Sequence, residues 1–489
     1  MKPVVDSLFY HARNSPDKVA LIVGNQHVTY REMADHTIAV AKYFTSLGVK
    51  KASPVILSAD ASSAFIYGYF ACHLLSAICV PVDPKCSEVK LNYIAKKVEP
   101  NAVFTSKGSK VEGVYSGHVS ELLNYLTIEN NKTNYLIPTG DCIADVLFTS
   151  GTTGDAKGVI LTHGAISIAA NHINRFIGNS YDDREVMPLP LSHSFGLGRL
   201  RCNVVTGATI ILVPGFTNPA LLYCAIEQCK ATGLASVPAG FAILLSMNPE
   251  RIRRYANQLK YIEIGSAPMP MEHKKFLMKA LPKTRICMHY GLTEASRSVF
   301  IEFHQDKEHL SSVGQPAHGV EIRIEDEQGS ECNNGEPGRI LIKGGHCTVG
   351  YWNNIVQTKK NLINGWLVTG DVGYIDSSGY LHLLAREDDI INIGGMKVSP
   401  AEVEEQIATH PSICDCVCVG IPDPRGISGQ AIKAFLVKSA KINEFPSEKE
   451  IDNILRGVIE PYKIPVSYEW VEEIPKTESG KIKRRDMLK

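Results

Sequence analysis

Apolar positions along the chain gather into short β-branched runs at residues 18–23, 54–58, 102–105, 208–213 and 258–264, separated by amphipathic stretches such as 219–229. Strand-length runs alternating with helix-length amphipathic segments predict wound α/β sheets. The run 65–82 is almost unbroken by polar residues and approaches the length of a membrane span. It contains His73 and Pro81 and leads into Asp83-Pro84-Lys85, so a buried helix followed by a buried strand explains it better. From about Val320 the pattern turns to hairpins, with a strand over 366–375, a turn at Asp376-Ser377-Ser378-Gly379 and a strand over 380–384. After Arg386-Glu387-Asp388-Asp389 comes a Gly394-Gly395 turn. Ser399-Pro400-Ala401-Glu402 then reads as a helix start, with an N-cap serine, a proline in the first turn and a glutamate at the third position. The expected fold is α/β. A large N-terminal domain, 1–386, holds two wound sheets and a β-rich subdomain, and a small α+β domain, 387–489, follows it. No internal repeat is visible.

The 489 residues balance 51 Lys and Arg against 51 Asp and Glu, so nothing in the net charge steers the chain toward nucleic acid. An apolar content of 44% with 21% charged residues is that of a globular protein and excludes a disordered chain. Thirteen cysteines are scattered without a framework, and the opening Met1-Lys2-Pro3-Val4 has no leader character, so a reduced, cytoplasmic protein without a transmembrane segment is expected. Cys414, Cys416 and Cys418 alternate along one segment without C-x-x-C spacing and are expected to be buried strand residues rather than metal ligands.

The segment richest in chemistry is Val146-Leu147-Phe148 followed by Thr149-Ser150-Gly151-Thr152-Thr153-Gly154-Asp155-Ala156-Lys157-Gly158. Hydroxyls, flexible glycine backbone and one cation make a phosphate cradle. A P-loop would need glycine before the lysine, Ser or Thr after it, and a helix beyond. Here Lys157 lies between Ala156 and Gly158, and Val159-Ile160-Leu161 reads as strand.

This loop resembles the phosphate loop of the adenylate-forming superfamily, which includes acyl-CoA synthetases, peptide-synthetase adenylation domains and luciferase. The resemblance runs in order along nearly the whole chain. Pro190-Leu191-Ser192-His193-Ser194-Phe195 is similar to the acyl-pocket segment, Gly265-Ser266-Ala267-Pro268 to the adenine wall, and Tyr290-Gly291-Leu292-Thr293-Glu294 to the nucleotide and magnesium motif. Thr369-Gly370-Asp371 resembles the ribose motif, Ala385-Arg386-Glu387-Asp388-Asp389 the hinge, and Pro475-Lys476-Thr477-Glu478-Ser479-Gly480-Lys481 the terminal catalytic-lysine motif. Two residues depart from the usual pattern, Ala156 for proline and Ala385 for glycine, and neither removes a functional group.

The resemblance implies an ATP-dependent, AMP-forming carboxylic acid ligase, closest in motif to acyl-CoA synthetases. Such an enzyme makes an acyl-adenylate and then a thioester, on CoA or on the phosphopantetheine of an acyl carrier protein. It implies that Thr149, Ser150, Gly151, Thr152, Thr153 and Lys157 hold the β and γ phosphates. Ser266, Ala267 and Pro268 would wall the adenine, Tyr290 would stack on it beside Gly291, and Thr293 would donate to the α phosphate. Glu294 would hold Mg²⁺, a hard cation suited to carboxylate oxygen. Asp371 would accept from the ribose hydroxyls and Arg386 would add charge near ribose and phosphate. Lys481 would bridge the attacking carboxylate and the α phosphate, while His193 would gate carboxylate entry. Asp388 would be the pivot of a mobile C-terminal domain that brings Gly394 and Gly395 in as the thiol channel.

The acyl pocket, again by resemblance, comprises His193, Val237, Ala239, Gly240, Ile264, Gly265 and Met288. That mostly apolar set suits a neutral-tailed chain or aromatic monocarboxylic acid, with a dicarboxylic acid held by an arginine as the lesser expectation. Ser194-Phe195-Gly196 supplies no acid to pair an ammonium, so an amino-acid substrate is disfavoured. Arg199 and Arg201, two residues apart, are expected to point to different faces and to be solvated or phosphate-facing, and the direction of Arg297 is open. A non-catalytic ATP-binding module would be expected to have lost Lys481 or Glu294, and a hydride-transfer enzyme would need a G-x-G-x-x-G turn after a strand. Neither condition holds.

Overall fold

The computed structural model of the chain describes residues 2–126, 137–149, 156–216, 218–394, 396–424, 426, 429–439, 445–456, 458–476 and 482–488, with the side chains of residues 388, 397 and 485 outside the description. Two compact units are present, Met1–Ile322 with Ile342–Leu367, and Arg323–Leu341 with Val368–Lys489.

The first unit holds both wound sheets. One is seven-stranded and includes β1 (Pro54–Ser58), β2 (Ile78–Val82), β3 (Ala102–Thr105), β4 (Ile143–Thr149) and β5 (Lys157–Thr162), in the order β5-β4-β2-β1-β3 between two short edge strands. The apolar run 65–82 resolves as expected into helix α1 (Ser63–Leu74), every residue of which is buried, and strand β2. Both pack as fully enclosed elements because neither has a polar face to turn to water. The second sheet is nine-stranded. Its core is β6 (Arg184–Met187), β7 (Thr209–Leu212), β8 (Gly233–Ser236), β9 (Tyr261–Ile264), β10 (Arg285–Leu292) and β11 (Ala295–Glu302), in the order β11-β10-β9-β8-β6-β7. Helices α2 (His163–Ile177), α3 (Ser194–Thr206) and α4 (Pro238–Met247) connect or cover these strands. The β-rich segment expected from Val320 forms a five-stranded sheet that includes β12 (Trp366–Ile375) and β13 (Leu381–Arg386).

In the second unit, helix α5 (Pro400–Ile407) starts after Ser399 as the sequence predicts, but the serine does not cap it. Its hydroxyl donates instead to the Leu384 carbonyl. Strands β14 (Ile413–Pro422), β15 (Gln430–Lys438) and β16 (Ser467–Val471) form a sheet beside α5 and α6 (Glu448–Arg456). Cys416 and Cys418 are buried on β14, whereas Cys414 is exposed because the register shifts between Ile413 and Asp415. The expectation of three buried thiols therefore fails at one. Among the described residues no helix is long and apolar enough to cross a membrane, and no cluster of three metal-ligating side chains occurs.

A buried polar group anchors the first sheet where β4 leads toward the phosphate loop. Asp145 is fully enclosed and lies 3.1 Å from His73 Nε2 and 2.5 Å from an Arg201 terminal nitrogen, while Tyr69 donates to it at 3.3 Å. Burial alone would push its carboxyl up. Arg201 and His73 outweigh that and hold it below the usual range. Arg201 is thus an internal counter-ion, not the solvated or phosphate-facing cation expected.

Three more of this unit's buried histidines are pushed far below the ordinary imidazole value. Burial pushes His163 down to about 3, His172 to about 4 and His346 to about 3. Each is neutral when folded and charges when exposed, so unfolding takes up protons below the ordinary value of 6.5 and stability rises with pH up to there. Urea unfolding should show stability falling between pH 6 and pH 4.5 by about 1.4 kcal/mol per pH unit for each histidine that stays buried. A flat profile over that window would contradict the neutral state.

Candidate active site

Strands β6, β8, β9 and β10 are mutually parallel neighbours, with Leu234 opposite Val186, Ser236 opposite Ile264, and Ile264 opposite Met288. Their carboxyl ends therefore open on one edge of the sheet, where α/β folds bind ligands. The segments singled out from sequence leave from these ends: Pro190–Phe195 after β6, Val237–Gly240 after β8, Gly265–Pro268 after β9 and Tyr290–Glu294 at the end of β10.

Two glycines fix this edge. A Cβ on Gly265 would fall 2.0 Å from the His289 ring, and one on Gly291 would fall 2.5 Å from the Arg297 backbone nitrogen and 2.7 Å from the Ala295 carbonyl oxygen. Only glycine lets β9 lie so close to His289 and lets β10 turn back into β11. Ser266, just after β9, has a φ of +77°, in the left-handed region. Tyr290 is nearly buried and Thr293 half-buried. Glu294 accepts a hydrogen bond from the Tyr351 hydroxyl at 2.9 Å, and Asn361 donates to that hydroxyl at 2.9 Å. This two-step chain of hydrogen bonds orients the Glu294 carboxylate.

His193 is exposed and N-caps α3 through its carbonyl, which accepts from Leu197 N at 3.1 Å. Val237 packs on the cluster of Leu189, Phe195 and Ala235. Gly240 is buried against Phe216, and Ala239 is exposed. Ile264 and Met288 belong to the apolar core with Leu234, Phe241 and Leu277.

The opposite face of the same strands is charged. Glu263 of β9 lies 3.1 Å from Arg297 Nε, 3.0 Å from an Arg199 terminal nitrogen and 2.9 Å from His289 Nδ1. Arg199 Nε donates to Glu185 of β6 at 2.8 Å, and the Tyr261 hydroxyl donates to the same carboxylate at 2.6 Å. Arg199, Arg297, Glu185 and Glu263 are all at or below 1% exposed. Burial would push the Glu263 carboxyl up, but Arg297 and Arg199 hold it far below the usual range. Burial lowers His289 despite Glu263, so the imidazole is neutral near pH 7. Arg199 is therefore not solvated, and the direction left open for Arg297 is inward. Sequence reading missed Glu185, Glu263 and His289. Their signal was a polar residue inside each of three strands otherwise buried on both faces.

Thr149 and Lys157 are register partners of β4 and β5 and close the base of the phosphate loop. Lys157 opens a strand, as expected, where a P-loop would open a helix. Ser150, Gly151, Thr152 and Thr153 lie outside the described residues, as do Gly395, Lys481 and the Asp388 side chain. In the second unit, Asp371 and Arg386 are opposite one another on β12 and β13, joined by an Arg386-to-Asp371 hydrogen bond of 2.7 Å. Gly394 sits in a turn with a φ of +59°.

Residues 8–352 match the family model of the AMP-binding enzymes, and residues 402–481 match that of the AMP-binding enzyme C-terminal domain. The 2-succinylbenzoate--CoA ligase of Bacillus pumilus (strain SAFR-032) is 31% identical over 492 residues, 98% of this chain and 96% of the relative. That of Bacillus mycoides (strain KBAB4) is 28% identical over 496 residues, 100% of this chain and 99% of the relative. Among solved structures, the o-succinylbenzoate CoA synthetase of Bacillus subtilis in complex with the acyl-adenylate intermediate OSB-AMP superposes with a TM-score of 0.90 at 27% identity, covering 100% of this chain and 98% of that one. The same synthetase with ATP and magnesium ion gives 0.89 at 27%, covering 99% of each.

Replacing Glu263 with leucine leaves Arg199 with Glu185 alone and takes from Arg297 the carboxylate that its Nε faces. The variant should lose about 3–5 kcal/mol in chemical denaturation, the usual cost of an uncompensated buried charge. A loss under about 1 kcal/mol would mean that the cluster is open to water.

Proposed function

The chain belongs to the AMP-binding enzyme family and is an ATP-dependent, AMP-forming acid–thiol ligase that makes an acyl-adenylate and then a CoA thioester; on that premise we propose how its residues divide the work and which acid it takes. The observation that carries the assignment is the convergence of the His193, Gly265–Pro268 and Tyr290–Glu294 segments on one sheet edge.

The first half-reaction brings a carboxylate against a polyanion, so charge must be neutralised before attack. Thr149 to Thr153 with Lys157 hold the β and γ phosphates and stabilise pyrophosphate as it leaves. Glu294, oriented by Tyr351, would hold magnesium, which would supply counter-charge to the triphosphate. Ser266, Ala267, Pro268 and Tyr290 seat the adenine, and Gly291 lets Thr293 approach the α phosphate. Asp371 accepts from the ribose, with its carboxylate aligned by Arg386. Lys481 places its ammonium between the carboxylate and the α phosphate, a contact that strengthens as the transition state forms. In the second half-reaction the thiol gives its proton to solvent, its sulfur bonds to the acyl carbon, and the bond from that carbon to the phosphate oxygen breaks as AMP departs. A pivot at Asp388 replaces Lys481 by the Gly394-Gly395 turn, which admits a thin pantetheine arm.

For the acid, the exposed His193 gates a pocket backed by Val237, Ala239, Gly240, Ile264, Gly265 and Met288. Arg199 and Arg297 are matched by Glu185 and Glu263, so neither is left over for a second carboxylate. This supports an aromatic or medium-chain acid with a neutral distal end. The relatives named for 2-succinylbenzoate make that compound the competing reading. Pyrophosphate release over benzoate, decanoate and 2-succinylbenzoate, with and without CoA, decides between them. Activity with 2-succinylbenzoate alone would overturn the neutral-acid reading.

Two variants test the division of labour. Lys481→Ala should lose adenylation by roughly 10²–10³-fold or more while still converting supplied acyl-adenylate to thioester. Asp388→Pro should keep adenylation and lose thioester formation, because proline fixes a backbone angle that a hinge must change. Equal loss of both steps in either variant would overturn the two-state scheme.

A further inference from the structure

Arg297 lies three residues beyond Glu294, at the start of the strand that returns from the nucleotide hairpin. Its backbone is left-handed, with a φ of +59°, a conformation that a non-glycine residue keeps only when its surroundings hold it. Its side chain crosses to a different part of the site. One terminal nitrogen donates to the Ser194 carbonyl at 2.8 Å, the other to the Phe195 carbonyl at 2.8 Å, and Nε faces Glu263 at 3.1 Å. The guanidinium also lies over the Phe195 ring, 4.6 Å from its centroid, and that ring meets His289 edge-on at 4.7 Å. Gly198 makes room for it, since a Cβ there would stand 2.2 Å from the guanidinium.

Helix electrostatics do not explain this placement. Ser194 and Phe195 open α3, and a cation at a helix N-terminus is disfavoured by the helix dipole. Glu263 removes that penalty, which leaves the two carbonyl bonds as the net result. We propose that Arg297 is a positioning residue: it clamps the His193-Ser194-Phe195 segment to the nucleotide hairpin, so that the acid's gate is set from the strand that follows Glu294. It touches neither substrate. The clamp needs the forked geometry of a guanidinium, because one ammonium cannot reach both carbonyls and Glu263.

The functional half of this proposal rests on His193 gating the acid, and the test separates the two. In Arg297→Met and Arg297→Lys, hydrogen exchange of peptides covering 190–198 should accelerate by about tenfold or more while those covering 54–74 stay as in the wild type. The Michaelis constant for the acid should rise about tenfold in both variants, equally for benzoate, decanoate or 2-succinylbenzoate, with that for ATP within about twofold. A lysine variant indistinguishable from wild type would overturn the clamp, since charge alone would then suffice. Acceleration in all peptides together would reduce Arg297 to general stability. A rise confined to 2-succinylbenzoate would mean direct contact with a second carboxylate and would also overturn it. If the wild-type protein adenylates none of the three acids, the substrate reading fails, and the exchange experiment still decides the clamp.

Discussion

The buried carboxylate of Glu263 is the constraint on which the acid side of the site depends. It is fully enclosed in the middle of a parallel sheet, so it persists only by gathering two arginines and a neutral imidazole. Arg297 arrives from the neighbouring hairpin, Arg199 from the helix that follows the His193 loop, and His289 from the adjacent strand. Each of these pieces carries a segment assigned to substrate. Satisfying one charge therefore sets the mutual placement of the Pro190–Phe195 loop, the Gly265–Pro268 turn after Glu263's own strand and the Tyr290–Glu294 hairpin, an effect that apolar packing alone, being non-directional, would leave less defined.

The nucleotide side uses a different device. Glu294 is not buried among counter-ions but leans on a tyrosine hydroxyl that is itself held by Asn361. Neutral hydrogen bonds orient a carboxylate without cancelling its charge, which is what a cation ligand needs. The Glu263 cluster is locked by charge matched to charge, whereas the carboxylate proposed to hold magnesium is oriented by neutral groups.

Much of the fold was legible because the strands are short, apolar and evenly spaced, and the motif segments fell at strand ends where a wound sheet places ligands. The helix at Ser63–Leu74 and strand at Ile78–Val82 follow from a run too interrupted by His73 and Pro81 to span a membrane. Arg199 and Arg201 were misread because a lone arginine on a helix is usually solvated, and their partners lie 14 and 56 residues away in sequence. Cys414 was misread because a one-residue register shift is invisible in an alternating pattern. The Ser399 hydroxyl went to Leu384 because a tertiary carbonyl competes with the local cap, and local spacing cannot show that competitor.

Gly198 has a consequence for how this sequence can change over time. The space that its missing side chain leaves is occupied by the Arg297 guanidinium, so the two positions cannot vary independently. An alanine at 198 requires the Arg297 guanidinium to move or shorten, and a shortened 297 leaves Glu263 to Arg199 and His289. A descendant that remodels this corner would therefore have to change positions 198 and 297 in an ordered way, the arginine giving way before a larger side chain can enter at 198.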